Sequence, residues 1–325
     1  MFEKLKAIIE KNDVITIFGH IFPDGDCYGS QIALKHAILE NYPSKKVYVV
    51  GSGLRRFFDF IDTMDNVSDD TIKNSLGILV DGNDFSRAED QRITLCKEWI
   101  KIDHHVENGL FTQGEFVVDE DANSTCQLVL ELILECGWKI NKTAANALYL
   151  GILTDTGRFQ FIEDYPRAFK EIYYLSEHGA EPKTINEILN VTSENLLAFK
   201  GYVCSHYQKT DNGVIYLILN QKVLSKYQIS ASKAGSMIYL LGNIEGFPIW
   251  AIFAENENGS MHIEFRSNGP AVQPVADSIG GGGHALAAGA TLNKFDKNEI
   301  IKIVKMLDNV IIEYRKECLL CGKKN

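Results

Sequence analysis

The 325-residue chain has little of several features that mark particular protein classes. It has only 7 prolines and no low-complexity tract, which argues against extensive disorder. No apolar run reaches the roughly 18 residues that a membrane span requires, and the N-terminal segment lacks a signal-peptide pattern. The net charge of −10 disfavours a stable complex with long nucleic acid or an anionic membrane, because both need a basic surface. These absences predict an ordered cytoplasmic protein that does not bind membranes.

The cysteines number 7, an odd count, and they are scattered along the chain. This pattern is typical of reduced thiols in a cytosolic protein. Cys318 and Cys321 form a C-x-x-C pair near the C-terminus. No second pair or nearby histidine completes a zinc site, so a frayed tail is the favoured interpretation and metal binding is the alternative.

The length predicts two domains, and the hydrophobic pattern differs between the halves. Apolar runs at 14–19, 46–51, 76–81 and 99–103 alternate with helical patterns, which is typical of an α/β fold with a parallel sheet covered by helices on both faces. We predict this domain at 1–185, a helical linker at 186–208, and a smaller mixed α/β domain at 209–325. In parallel sheets of this kind the functional site lies at the carboxyl ends of the strands.

Acidic and histidine residues cluster where strands and helices of the first half end. His20 closes the first strand, and Asp24 and Asp26 stand in the turn after it. Gly25 allows that turn to be tight, so both carboxylates can project toward one point. Caps of the following helix are the alternative role for these aspartates.

Three further groups lie at comparable positions: Asp81 after the third strand, Asp103-His104-His105 after the fourth, and Asp155 at the end of a helix. Adjacent side chains on an extended segment point apart. We therefore expect one imidazole of the pair to bind metal and its neighbour to face a substrate. Each group alone is also compatible with an ordinary turn or a solvated side chain.

The combination predicts a site for two divalent cations. Two imidazoles and four carboxylates suit manganese or magnesium better than a thiolate-bound zinc. Four carboxylates at −1 and two cations at +2 sum to zero charge. Without cations, four close carboxylates would repel one another.

The motifs GHIFPDGDCYGS, LVDGNDFSR, KIDHH and GILTDTGRFQF resemble those of the DHH phosphoesterases, and GGGGHALAAGA after FRS resembles the DHHA1 domain of the same proteins. The two-domain length is most similar to the nanoRNase and pAp phosphatase group. This resemblance implies hydrolysis of short RNA or DNA oligonucleotides to mononucleotides. It also implies removal of the 3′-phosphate from 3′-phosphoadenosine 5′-phosphate (pAp).

The resemblance also implies roles for individual residues. His20 and Asp24 would bind one cation, and Asp26, His104 and Asp155 would bind the other. Asp81 would bridge both cations. Asp103 would orient an imidazole from behind the cluster, and His105 would face the scissile phosphate.

The second domain is predicted to bind the substrate. Consecutive glycines let backbone N–H groups approach an anion, although a flexible loop is the alternative. The candidate residues are Arg266, Ser267, Gly282, Gly283 and His284. Arg158, which follows the TDTG segment, either contacts a phosphate or points to solvent. A cleft between the domains is expected to limit substrate length.

Three alternatives use the same motifs. The first is a phosphodiesterase whose main substrate is linear pApA, and the second is a manganese pyrophosphatase, which the glycine-rich second domain and Arg266 disfavour. The third is a nucleotide-binding sensor without catalysis, disfavoured because all six expected ligands are present. The resemblance suggests a homodimer, and the sequence leaves oligomeric state, oligonucleotide length and polarity open.

Overall fold

The computed structural model describes residues 2–54, 60–106, 111–162 and 164–320. The chain divides into two compact units, Met1–Val191 and Thr192–Asn325. Cys321 of the predicted C-x-x-C pair lies outside the described residues. We describe each unit by itself.

The first unit is built on a parallel sheet of five strands, in the order β2-β1-β3-β4-β5. The strands are β1 (Val14–Phe18), β2 (Lys46–Val50), β3 (Leu76–Val80), β4 (Glu98–Asp103) and β5 (Glu115–Val118). The chain moves from β1 to β2 on one side and then to β3 on the other side, so the β1–β3 boundary is a switch point. Four of these strands match predicted apolar runs; the edge strand β5 was missed because it has four residues and little periodicity.

Seven helices in the described part of this unit complete the fold. They are α1 (Glu3–Lys11), α2 (Gly25–Asn41), α3 (Asp69–Lys73), α4 (Thr125–Glu135), α5 (Lys142–Asp155), α6 (Tyr165–Glu177) and α7 (Pro182–Leu189). Helix α2 begins at Gly25, directly after Asp24, because the Asp24 side chain caps it.

Both faces of the first sheet are buried. Ile15 and Ile17 pack with α2, α4 and α5 on one face. Phe18 and Leu79 pack with a second group that includes Ile72 of α3 on the other. Burial on both faces explains why the strands are continuously apolar, and it confirms the predicted α/β class.

The second unit contains a mixed sheet of six strands, in the order β10-β11-β9-β8-β7-β6. Its elements are α8 (Glu194–His206), β6 (Gln208–Lys209), β7 (Val214–Leu219), α9 (Gln221–Tyr227), α10 (Ala231–Gly235), β8 (Ile249–Glu255), β9 (Met261–Ser267), α11 (Gln273–Ser278), β10 (Gly282–His284), β11 (Ala287–Leu292) and α12 (Lys297–Leu320). Only β7 and β8 run parallel; the other neighbours are antiparallel.

Two segments that could have been a loop or a connector, the glycine-rich segment and part of the predicted linker, form regular elements of this unit. The glycine-rich segment forms the β10–β11 hairpin, which extends the sheet beside β9. Within the predicted linker, α8 buries Phe199 and Val203 against the core that contains Ile215. This helix therefore packs as part of the second unit.

Candidate metal centre

The residues predicted from strand and helix ends meet at the carboxyl edge of the first sheet. Asp81 lies at the middle of this cluster. Its Oδ2 is 3.3 Å from Nε2 of His20, and its Oδ1 is 3.8 Å from Nε2 of His104. Nε2 of His104 is also 3.3 Å from Oδ2 of Asp155 and 3.9 Å from Oδ2 of Asp26. The structure thus brings together residues separated by up to 135 positions in the sequence.

The backbone presents Asp81 in a conformation that few residues adopt. Asp81 follows β3 directly and has a φ of 56°, in the left-handed region. Its backbone N–H donates to the carbonyl of Ile102, and its Oδ1 accepts a hydrogen bond from Oγ1 of Thr125 at 3.1 Å. A strained residue held by neighbouring groups is typical of a functional position.

Asp26 is held by the start of a distant helix. Its two carboxylate oxygens accept hydrogen bonds from the backbone N–H groups of Thr125 and Cys126, at 2.6 and 2.8 Å. Burial, together with the charges of Asp81 and Asp155, raises the pKa of Asp26 well above its ordinary value. A nearby cation would favour the charged form of this carboxylate.

Asp24 serves the helix and also reaches the cluster. Its Oδ1 accepts hydrogen bonds from the N–H groups of Asp26 and Cys27, both at 3.0 Å, so it is the N-cap of α2. The same oxygen is 3.8 Å from Nε2 of His20. Although burial opposes it, the hydrogen bond with His20 lowers the pKa of Asp24. Both roles considered for Asp24 are therefore compatible with one geometry.

The histidines are oriented by their second ring nitrogens. Nδ1 of His20 lies 2.8 Å from the carbonyl of Ile21, and Nδ1 of His104 lies 3.2 Å from that of Ala122. In each case Nε2 is left to face the carboxylates. Backbone contacts of this kind fix the tautomer of metal-binding imidazoles.

The expectation that His104 and His105 point apart is wrong. Their ring centroids are 4.6 Å apart, and Nδ1 of His105 is only 3.5 Å from Oδ1 of Asp81. The chain leaves β4 at Asp103 and bends, so the alternation of an extended strand no longer applies.

Asp103 and His105 form a pair beside the cluster. Oδ1 of Asp103 is 2.8 Å from Nδ1 of His105. Burial opposes it, but this hydrogen bond lowers the pKa of Asp103, and it raises the pKa of His105. His105 is half exposed, so its Nε2 is free to meet a ligand. Oδ2 of Asp103 is buried without a hydrogen-bond partner among the described residues.

Asp155 closes the cluster from the end of α5. Burial and the charges of Asp81 and Asp24, opposed by His104, raise the pKa of Asp155 to about 6. Gly151, one turn earlier, lets the helix approach, because a Cβ there would overlap the Cys126 sulfur and come within 2.9 Å of Oδ1 of Asp26. The carboxylate cluster therefore depends on close packing of α2, α4 and α5.

The donor set fits divalent cations. Three groups of donor atoms each lie within 4.8 Å of one another: His20 with Cys27 and Asp81, Asp81 with His104 and His105, and Asp26 with His104 and Asp155. Burial raises the pKa of the Cys27 thiol to about 11, so it stays protonated and is a poor ligand. Asp24 is therefore a better metal ligand than Cys27 to accompany His20 and Asp81. Bound cations would relieve the repulsion between these crowded carboxylates, which raises their pKa values.

Sequence reasoning missed several residues around the cluster. A cavity of about 310 Å³ opens over it, and Asn83, Asp84 and Arg87 line this cavity together with cluster residues. The signal was present, since all three lie in the LVDGNDFSR motif, but no role was attached to them. The α4 residues Thr125 and Cys126 were also missed, because they bind Asp26 through backbone N–H groups, which leave no signal in the sequence.

The predicted substrate-binding residues of the second unit lie around β9 and the hairpin. Nη1 of Arg266 is 2.9 Å from Oε2 of Glu264, so the guanidinium is already paired. Gly283 has a φ of 138°, and a Cβ there would come within 2.6 Å of the Ala287 carbonyl oxygen. His284 is exposed at the end of β10, directly after Gly283. The buried hydroxyl of Ser267 donates to the carbonyl of Pro270.

Arg158 belongs to the first unit, where it lies in the turn after α5. It is exposed and has a φ of 60°. Within the described ranges its guanidinium makes no hydrogen bond or ion pair. The structure therefore leaves both predicted roles of Arg158 open.

A larger cavity, of about 450 Å³, lies in the second unit beside Phe247, Tyr314 and Arg315. It contains one carboxylate residue, Glu245, and no histidine. The chemistry of a metal centre therefore belongs to the smaller cavity.

No helix among the residues that the structure describes is long and apolar enough to cross a membrane.

Comparison with known proteins agrees with this geometry. The model of the DHH family, N-terminal domain, matches residues 14–152, and that of the DHHA1 domain matches residues 211–313. A bifunctional oligoribonuclease and PAP phosphatase NrnA from Bacillus subtilis (strain 168) is 33% identical over 305 residues, which cover 92% of this chain and 95% of that protein. A protein of the same name from Mycoplasma genitalium is 36% identical over 302 residues, covering 91% and 93%.

Among solved structures, an exopolyphosphatase-related protein from Bacteroides fragilis superposes with a TM-score of 0.82 at 22% identity. The superposition covers 97% of this chain and 96% of that one. At this identity the likeness concerns the fold alone.

Proposed function

The chain belongs to the DHH family, and we propose that it is a two-metal phosphoesterase that degrades short oligonucleotides to mononucleotides and removes the 3′-phosphate of pAp. The observation that carries this proposal is the meeting of four carboxylates and two imidazoles around Asp81 at the carboxyl edge of the sheet. Relatives named as bifunctional oligoribonucleases and PAP phosphatases supply the substrate class.

The cluster residues divide between two cation sites. We assign His20 and Asp24 to one cation, and Asp26, His104 and Asp155 to the other. Asp81 would bridge both, since its Oδ2 approaches the imidazole of His20 and its Oδ1 approaches that of His104. When bound, the two cations, manganese by preference or magnesium, supply an activated water and offset the charge of the phosphoryl oxygens.

The protein positions the substrate around these ions. Asp103 accepts a hydrogen bond from Nδ1 of His105 and raises the pKa of that imidazole. The protonated imidazole donates a hydrogen bond through its exposed Nε2 to an oxygen of the scissile phosphate or to the leaving group. Thr125 and Cys126 keep the carboxylates of Asp26 and Asp81 in place through hydrogen bonds. These contacts are formed before substrate arrives, so little reorganisation is needed during the reaction.

The second unit is proposed to bind the part of the nucleotide that does not react. Arg266, His284 and the backbone of Gly282 and Gly283 offer cations and N–H groups to a second phosphate or a nucleotide end. Ser267 contributes by shaping the loop at Pro270, since its hydroxyl is engaged there. Arg158 remains a candidate for an additional phosphate contact. The division into a catalytic and a substrate-binding domain stays a prediction, as do a cytoplasmic location and a homodimer.

The decisive experiment compares purified protein, supplied with manganese, on pAp, pApA, RNA of two to five nucleotides, longer RNA and pyrophosphate. Mononucleotide release from the short RNA and AMP release from pAp are expected, with little cleavage of long RNA. Turnover of pApA alone would favour the alternative of a phosphodiesterase whose main substrate is linear pApA. Binding without turnover of any substrate would favour the sensor.

A further inference from the structure

The cavity over the metal centre contains one basic residue of unassigned role. The residues that line it are His20, Asp24, Asp81, Gly82, Asn83, Asp84, Arg87, His105 and Asp155. Arg87 is the only lysine or arginine among the described residues that line the cavity. Four of the others are aspartates, so the cavity wall is strongly acidic.

The charge balance of the cavity indicates why a positively charged side chain is needed there in addition to the two metal ions. Two divalent cations at +2 cancel the charges of the four proposed carboxylate ligands, Asp24, Asp26, Asp81 and Asp155. A substrate phosphate then brings at least one further negative charge into the cavity. A guanidinium can meet this charge through two parallel hydrogen bonds and stays protonated at any working pH.

Arg87 is not used elsewhere in the described part of the protein. Its guanidinium makes no hydrogen bond or ion pair with any residue that the structure describes, although four aspartates line the same cavity. Arg92, on the next 3₁₀ turn, shows the contrasting case: its guanidinium is bound to Asp90 and Asp69. An exposed, uncommitted guanidinium at the wall of a phosphate-processing cavity is available to a ligand.

The backbone of Arg87 is fixed relative to the cluster. The carbonyl of Arg87 accepts a hydrogen bond from the N–H of Ile21 at 2.8 Å, and Ala88 forms an isolated bridge with His20. Asp84 caps the short 3₁₀ turn that carries Arg87, accepting from the N–H of Ser86 at 2.7 Å. The position of Arg87 is therefore tied to the same chain segment that presents His20.

We propose that Arg87 binds the phosphate that reacts at the metal centre, as a substrate-contacting residue of the first unit. This inference rests on the proposed phosphoesterase function. It differs from the role of Arg266, which is proposed for the part of the substrate that does not react. The two arginines should therefore respond differently to substrates with one and with two anionic groups.

The test compares Arg87→Ala and Arg87→Lys with Lys97→Ala as control. Lys97 is an exposed lysine of the same unit that does not line the cavity, so its variant removes one positive charge without touching the site. The kcat/KM values are measured on pAp, pApA and bis-p-nitrophenyl phosphate with manganese. We expect Arg87→Ala to lose about 10- to 150-fold on all three substrates, because each presents a reacting phosphate. Arg87→Lys should recover part of the loss, and Lys97→Ala should stay within about twofold of wild type.

Two binding measurements separate this role from others. Calorimetric titration of the manganese-loaded protein with inorganic phosphate should show weaker binding for Arg87→Ala. Titration of the metal-free protein with manganese, followed by thermal shift, should show unchanged affinity, because Arg87 is not a ligand.

A loss below about threefold on all substrates, with unchanged phosphate binding, would overturn the proposal. A loss on pAp and pApA without a loss on bis-p-nitrophenyl phosphate would also overturn it, because Arg87 would then bind a distant group. Reduced manganese affinity would mean that the variant disturbs the metal centre instead. If wild type turned over none of these substrates, the proposed function would fail, whereas the phosphate titration would still decide the role of Arg87.

Discussion

The carboxylates around Asp81 in the first unit are crowded with like charges, whereas the charged groups on β9 of the second unit are paired with opposite charges. Around Asp81, several carboxylates face one another, and burial with mutual repulsion raises the pKa values of Asp26 and Asp155. On β9, His262 and Arg266 flank Glu264 at 3.3 and 2.9 Å, and these partners lower the pKa of Glu264 despite its burial. The first cluster needs cations from solution, and the second is balanced within the protein. This difference in charge balance indicates that the two units are suited to different tasks.

Removal of the metal ions should have the largest effect on activity, because only the carboxylate cluster of the first unit depends on them. A chelator should abolish hydrolysis of pAp and short RNA, since the described residues of the first unit offer no substitute for the charge of the cations. Manganese should restore activity best, with magnesium as the comparison. Initial rates in chelated buffer and after addition of each metal check this. Full activity in metal-free buffer would contradict the two-metal proposal.

Loss of the central carboxylate should have the next largest effect. Asp81→Asn keeps the size of the side chain and tolerates the left-handed φ, so the fold should persist. Removing the bridge between both cations should lower kcat at least about 100-fold, more than the 10- to 100-fold typical of residues behind a metal ligand. Steady-state kinetics with manganese measures this effect, and a thermal melt checks the fold.

The exposed Asp70 supplies a matched control for this variant. Asp70→Asn also removes one carboxylate from the first unit, but far from the cluster, and kcat should stay within about twofold. The bridging role of Asp81 would be wrong if Asp81→Asn kept more than about a tenth of wild-type kcat, which corresponds to roughly 1.4 kcal/mol of barrier.

Arg266→Ala should reveal the separate task of the second unit. Losing a charge-assisted phosphate contact costs about 1.5–3 kcal/mol, or roughly 10- to 150-fold in kcat/KM on pAp and dinucleotides. The loss on bis-p-nitrophenyl phosphate should be small, because this ester has no second anchor. His284→Ala should show the same selectivity with a smaller loss, since an imidazole offers fewer N–H donors to a phosphate than a guanidinium. Equal losses on both kinds of substrate would mean that Arg266 supports the catalytic centre or the fold.

The smallest expected effect concerns stability and tests the internal pairing on β9. Glu264→Gln should lower the stability of the metal-free protein by about 1 kcal/mol at pH 7. The pKa of Glu264 is lower in the folded protein than its ordinary value of 4.5, so its contribution is present above pH 4.5. That contribution disappears as the pH falls through the folded pKa.

Thermal melts at pH 7 and below about pH 4 check the sign. Glu257→Gln, at an exposed position of the same unit, is the control and should change little at either pH. A destabilisation by Glu264→Gln that is equal at both pH values would point to lost packing rather than lost charge pairing.

Local pattern was enough to predict most of the fold and the candidate cluster. The runs at β1, β3 and β4 are continuously apolar because both faces of the sheet are buried, and a parallel sheet brings their carboxyl ends to one edge. His20, Asp81 and Asp103 stand at those ends, so their proximity followed from strand positions alone. The 3.3 Å distance between Nε2 of His20 and Oδ2 of Asp81 agrees with that inference.

Tertiary structure decided what depends on contacts distant in sequence. The N–H groups of α4 that bind Asp26 come from residues about 100 positions away, and backbone donors leave no sequence signal. The bend after β4 that brings His104 beside His105 breaks strand periodicity, so alternation predicted the wrong directions.

The same limit applies to the two arginines. Both occur in motifs that the sequence displays, yet only the structure distinguishes Arg87, uncommitted within the described residues, from Arg266, which Glu264 already pairs. The sequence determined which residues could carry charge to each site, because hydrophobic periodicity places strand ends. The fold decided which charges are neutralised internally and which are left for metal ions and phosphate, because ion pairing depends on distances that periodicity does not encode.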